Sequence, residues 1–110
     1  MGKPLRQGAI ILARLNDHKG KVSEHFAVVL TSNEDIQNGS DLTVAGVSTS
    51  YSLPLPSNWY ALDSIPVVGH PITGLKEACV VKGDWRDVVK QKDVIEVRGR
   101  VQSRIGKRLF

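Results

Sequence analysis

A chain of 110 residues with 41% hydrophobic content has room for one packed core and little for a second, so a single domain over residues 1–110 is expected. A formal net charge of +4 favours a polyanionic partner over a cationic one, and the 5% of aromatic residues leaves Val, Ile and Leu to build the interior. No apolar run approaches the roughly 20 residues that cross a bilayer, and the single Cys79 excludes an internal disulfide.

The opening Met1-Gly2-Lys3-Pro4-Leu5-Arg6-Gln7 lacks the apolar core of a signal peptide. Arg6 stands where N-myristoylation of Gly2 requires Ser or Thr. Cys79 sits in the apolar run Ala78-Cys79-Val80-Val81 and reads as a small buried hydrophobe, consistent with a reducing cytoplasm. A soluble cytoplasmic protein is the expectation.

The first strand is predicted over Ala9-Ile10-Ile11-Leu12-Ala13-Arg14-Leu15, bounded by the turn-rich Asn16-Asp17-His18-Lys19-Gly20-Lys21. A second follows from Phe26 to Thr31, nearly continuous in apolar residues and therefore buried on both faces, and these two are expected at the centre of the sheet. Ser32 to Ser40 reads as a polar connection, and Leu42 to Ser48 as a third strand. Leu53-Pro54-Leu55-Pro56 blocks regular pairing, because proline lacks a backbone donor and restricts the residue before it. Weaker strands are predicted at Trp59–Leu62 and Ile65–Val68, a long loop at Gly69–Leu75, and another strand from Ala78 to Lys82. From Val94 to Val101 the residues alternate, with Ile95, Val97, Gly99 and Val101 on one face, although Val94, Val97 and Val101 also satisfy helical spacing. The tail Ser103–Phe110 offers Ile105, Leu109 and Phe110 as the apolar side of a short helical turn. Five to seven short strands with one terminal helical piece indicate a β-rich fold, a small bent barrel or sandwich.

The order of these segments resembles the PemK/MazF family of toxin ribonucleases. Gly8-Ala9-Ile10-Ile11 looks like that family's opening Gly-Asp-Ile-(Val/Ile) strand, and Ala27-Val28-Val29-Leu30-Thr31 like its second strand. Val44-Ala45-Gly46-Val47-Ser48-Thr49 is similar to its Val-Ala-x-(Ile/Val)-(Thr/Ser)-Thr segment. The stretch from Gly69 to Val81 resembles its entry to a later strand, so the likeness runs to about Val101. The resemblance implies an SH3-like β-barrel with a short C-terminal helical segment, a homodimer whose groove holds single-stranded RNA, cleavage without metal or cofactor, and a cognate antitoxin protein whose disordered tail fills the groove. One departure stands out: the family commonly has Arg-Pro before the second strand, the arginine serving catalysis, where this chain has His25-Phe26. Ser48 matches the family's catalytic Thr/Ser position, followed by Thr49.

Cleaving RNA without a metal requires a base for the 2′-hydroxyl, an acid for the leaving 5′-oxygen and donors for the charged phosphorus centre. Imidazole, with an unperturbed pKa of about 6.5, suits either proton transfer, whereas guanidinium stays charged and grips phosphate. His25 is therefore the candidate acid or base, and Ser48 or Thr49 the holder of a phosphate oxygen. Lys21 first, then Lys19 and Arg14, are the candidates to replace the missing guanidinium, and Ser50 completes the hydroxyl run. Each has a plainer alternative: a surface histidine at a strand entry, a strand end whose hydroxyls bond local backbone, and solvated loop lysines. His18 and His70 are weaker candidates, and no His, Cys, Asp and Glu cluster has metal-ligand spacing. Tyr51, Trp59 and Tyr60 offer stacking surfaces for unpaired bases, with Trp85 assigned to packing at the end of an apolar strand, while the basic run from Arg98 to Arg108 reads either as a solvated face or as a phosphate track. The alternative to a toxin endoribonuclease is a catalytically silent SH3-like barrel that binds RNA or a partner protein; a structural adaptor fits the charge less well.

Overall fold

The β-branched runs form strands that bury apolar side chains on both faces of one sheet, because the chain is too short to supply helices for both covers. The computed structural model describes residues 3–17 and 19–110; His18 and Gly2 lie outside them. Among the described residues six strands are present: β1 (Ala9–Asn16), β2 (Val22–Val29), β3 (Leu42–Ser48), β4 (Trp59–Leu62), β5 (Cys79–Val89) and β6 (Glu96–Arg100). They form one antiparallel sheet in the order β4-β5-β3-β2-β1-β6, curled into a half-barrel. Two short helices, α1 (Asn33–Gln37) and α2 (Ser103–Leu109), and a 3-10 turn at Gln91–Asp93 complete it.

Alternation along the strands sorts the core into two clusters. Ile10, Val28, Ala45, Val47, Val81 and Ile105 pack on one side. Ala9, Ile11, Ala13, Leu15, Ala27, Val29, Leu42 and Val44 pack on the other. Ala27, Val28 and Val29 are all fully buried, so β2 is covered on both faces as its composition predicts. Each such Ile, Leu or Val contributes about 1.5–3 kcal/mol by leaving water. The central pair is β2 and β3, however, because β6 adds outside β1 and moves that strand off centre.

Several elements differ from the sequence reading. β2 begins at Val22 rather than Phe26, since Val22, Ser23, Glu24 and His25 pair with Asn16, Leu15, Arg14 and Ala13 of β1. The polar connection contains α1, capped by the Ser32 hydroxyl accepting from the Asp35 amide. Residues 65–68 make no strand but a turn, in which Val67 takes a φ of 70° and Gly69 donates to the Ile65 carbonyl. β5 runs on through Trp85 to Val89. Ile95 is exposed, while Val97 and Val101 pack on different clusters, because the β1–β6 register shifts between Ile10 and Ile11 and breaks the alternation. At the rim, Asp87 accepts from the Asn16 amide through Oδ2 at 2.9 Å and from the Val88 amide through Oδ1 at 2.8 Å, tying β5 to the end of β1.

Candidate active site

Strand register decides whether His25 and Ser48 share a site. β2 and β3 pair as Val29↔Val44, Val28↔Ala45 and Ala27↔Gly46, where the ladder ends. His25 on β2 and Ser48 on β3 each lie two residues beyond that last pair, with the strand parity of Ala27 and Gly46. Past Gly46, β3 continues its pairing with β5 instead, as Val47↔Val81 and Ser48↔Val80.

Between Ala45↔Arg86 and Val47↔Val81, β5 sends Lys82, Gly83, Asp84 and Trp85 past the single residue Gly46. This bulge folds the Trp85 indole flat over Gly46, where any Cβ would collide with three ring atoms. Trp85 then donates its Nε1 to the Asn16 carbonyl at 2.8 Å. The His25 ring meets the indole edge to face, with centroids 4.9 Å apart at 80°. Trp85 therefore packs, as its sequence context suggests, but from mid-strand, and its position also fixes one side of His25.

The other side of His25 is held by Ser23, whose Oγ lies 2.8 Å from Nε2. Among the described residues Nδ1 has no hydrogen-bond partner, so one imidazole nitrogen is engaged and one is available. Ser48 sits in a local turn: the Ser50 amide donates to its Oγ at 3.0 Å, and that hydroxyl reaches the Ser50 carbonyl at 3.3 Å. Beside Trp85 a cleft of about 280 Å³ is walled by Asn16, Trp59, Asp84, Arg86 and Asp87. In it Lys82 Nζ lies over the Trp59 ring at 4.4 Å, and the Trp59 indole donates to Asp84 at 2.6 Å.

The remaining sequence candidates divide. Lys19 and Lys21 occupy the exposed β1–β2 hairpin, where both amides donate to Asp17 Oδ1. That hairpin leads directly into the strand carrying His25. Arg14 follows Ala13, the partner of His25, and the pleat turns it to the opposite face, where it lines a cavity with Val88, Lys90 and Ile95. Thr49 likewise parts from Ser48 and lines a cavity of about 300 Å³ with Phe26, Leu75, Cys79 and Arg98. Arg98 pairs with Glu96 at 3.2 Å and lies over the Phe26 ring at 5.3 Å, its Nε buried with no hydrogen-bond partner among the described residues. Burial pushes the Cys79 thiol up to about 11, with Glu77 adding to the effect.

His70 is structural: its Nδ1 accepts from the Ile72 amide at 3.1 Å, which shapes the loop before β5. Among the described residues no group of three His, Cys, Asp or Glu converges to hold a metal ion, and no helix is long and apolar enough to cross a membrane. The residues that sequence reasoning overlooked are Lys82 and Arg86, because the bulge that brings them beside Trp85 depends on pairing across the sheet.

No protein-family model matches this chain, and no curated protein does. Among solved structures, an endoribonuclease in complex with its cognate antitoxin from a mycobacterial species is similar with a TM-score of 0.70 and 14% identity, covering 97% of this chain and 87% of that one. An endoribonuclease from a mycobacterial species matches with a TM-score of 0.70 and 12% identity, covering 99% of this chain and 86% of that one. At these identities the likeness is one of fold, and it extends over nearly the whole chain.

Proposed function

We propose that this protein is a toxin-type endoribonuclease of the PemK/MazF kind, cutting single-stranded RNA without a metal, active in the cytoplasm as a homodimer and held in check by an antitoxin protein. The observation that supports the reading is the β2–β3 register, whose last pair, Ala27↔Gly46, has His25 two residues beyond it on β2 and Ser48 two residues beyond it on β3. The fold shared with endoribonucleases, one of them bound to a cognate antitoxin, supports the activity and the partner.

In this reading the RNA 2′-hydroxyl attacks its own phosphorus as the bond to the 5′-oxygen breaks, leaving a 2′,3′-cyclic phosphate and a 5′-hydroxyl. His25 takes the 2′-hydroxyl proton on the nitrogen that Ser23 leaves free and gives it up to the departing 5′-oxygen, and Ser48 leaves its turn with Ser50 to donate to a phosphate oxygen. Lys21 and Lys19 on the hairpin supply the positive charge that an arginine at position 25 would give.

The second reading, a silent barrel that binds RNA or a protein, is favoured by one observation: His25 and Ser48 already have partners within the chain. Incubating the protein with unstructured RNA in EDTA between about pH 5 and 8 separates the two. Cleavage to cyclic-phosphate ends, reduced about a hundredfold or more in His25→Ala, is expected of the nuclease. Tight RNA binding with no cleavage at any pH supports the silent barrel, and full activity in His25→Ala removes the histidine from the mechanism.

A further inference from the structure

The net positive charge of this chain comes from its two end segments. Residues 17–96, which contain His25, Ser48 and the cleft beside Trp85, hold seven Lys/Arg and all eleven Asp/Glu, a formal charge of −4. Residues 1–16 and 97–110 hold the other eight Lys/Arg and no acid at all. A candidate nuclease whose central portion is negative needs another source of attraction for RNA.

The fold joins the two basic segments. Ala9 pairs with Arg100 across β1 and β6, the Val101 amide donates to the Gly8 carbonyl at 2.8 Å, and Lys3 Nζ donates to the Arg98 carbonyl. Two adjoining cavities of about 300 and 230 Å³ result, both lined by Arg6 and Arg100. Lys107 adds to the first and Lys3 to the second, and neither is lined by an Asp or Glu. All four side chains are exposed. Arg98 and Arg104 are tied to Glu96 and Asp63 at 3.2 and 3.5 Å, but among the described residues Arg6, Arg100 and Lys107 have no ion pair. Unneutralised cations around consecutive cavities repel one another until a polyanion arrives, and its binding releases condensed counterions.

We propose that this joined N- and C-terminal surface is a second anion site, holding the phosphodiester backbone of a single RNA strand away from the point of cleavage. The proposal rests on the endoribonuclease reading for the identity of the strand. A repeating phosphate suits it better than an acidic peptide, because the cations are distributed over two successive cavities. Along β1, the Arg100 partner Ala9 lies four residues, about 13 Å, from the His25 partner Ala13. A strand several nucleotides long is needed to reach from one to the other, so length dependence is its signature.

The test uses the triple variant Arg6→Gln, Arg100→Gln, Lys107→Gln and uncleavable 2′-O-methyl oligouridylates of roughly two and roughly twelve nucleotides. The expected result is an affinity for the long oligonucleotide at least tenfold lower at low salt. Its log K against log salt slope should be shallower by about two, three lost phosphate contacts at about 0.7 each, with the short one unchanged. A control triple at Lys76, Lys90 and Lys92 removes the same charge and should leave the slope for the long oligonucleotide close to that of the unsubstituted protein. Equal losses for both lengths, no loss for either, or equal effects of the two triples would overturn the proposal. So would weakened binding of a polyglutamate peptide with RNA affinity intact, which would give the surface to an acidic protein. Because the probes cannot be cleaved, a protein that binds them as expected but cuts no RNA would refute the nuclease reading alone and leave this site standing.

Discussion

Replacing Gly46 with alanine places a methyl group inside the Trp85 indole, which lies against the Gly46 backbone. The ring must move, and three contributions then change together. Overpacking costs about 1–3 kcal/mol. The Trp85–Asn16 hydrogen bond contributes about 1 kcal/mol, and the edge-to-face contact with His25 about 0.5–1.5 kcal/mol. A destabilisation of about 2.5–5.5 kcal/mol follows, which in a domain of this size lowers the melting temperature by roughly 10 °C or more. Urea denaturation of Gly46→Ala, Trp85→Ala and the double variant measures the coupling directly. With the indole gone the methyl has nothing to strike, so Gly46→Ala should cost less than about 1 kcal/mol in the Trp85→Ala background. Equal costs in both backgrounds would refute the account of why glycine stands there.

Ser23→Ala removes the hydroxyl from His25 Nε2; the imidazole nitrogen resonances of His25 should shift in NMR spectra while those of His70 stay put, and RNA cleavage should fall about fivefold for the loss of roughly 1 kcal/mol of orientation. Unmoved His25 resonances would mean that the contact is absent in solution. With its thiol raised to about 11, Cys79 should react with iodoacetamide at pH 8 about a hundredfold more slowly than a thiol of pKa 9.0. Because the folded value lies above the unfolded one, the associated stability is complete below about pH 9 and is lost as pH rises through about 11, which denaturation of the wild-type and Cys79→Ala proteins across that range compares. Thr73→Val should cost about 1–3 kcal/mol, since the buried Thr73 hydroxyl donates to the Asp63 carbonyl at 2.7 Å and accepts from the Leu75 amide at 3.2 Å.

What could be read from the sequence follows the range over which the signal acts. β3 ends at Leu42 and Ser48 as expected, and α2 appears where Ile105 and Leu109 give the tail an apolar side, because local patterning against one core suffices there. β2 was partly hidden, since Ser23-Glu24-His25 looks like loop until β1 is known to pair with it. The continuation of β5 was hidden by Gly83-Asp84, turn-like residues that lie in the bulge opposite Gly46. α1 did carry a local signal, Ser32 three residues before Asp35, the spacing at which an N-cap hydroxyl accepts an amide. The relation of His25 to Ser48 depends on the register between β2, which ends at Val29, and β3, which begins at Leu42, and no local pattern states it. The parting of Ser48 and Thr49, by contrast, is local: Ser48 closes β3 and Thr49 stands in the bend that the Ser48–Ser50 hydrogen bond holds.

Asp87 has a consequence for how this protein meets others of its own kind. By occupying the amides of Asn16 and Val88, one carboxylate stands in for the neighbouring strand that an open rim would otherwise solicit. An extended segment from another molecule finds those two donors taken and a negative charge in its way. Strand pairing at that one stretch, where β1 runs on past β6 and β5 past β4, is thereby discouraged at the expense of a single side chain.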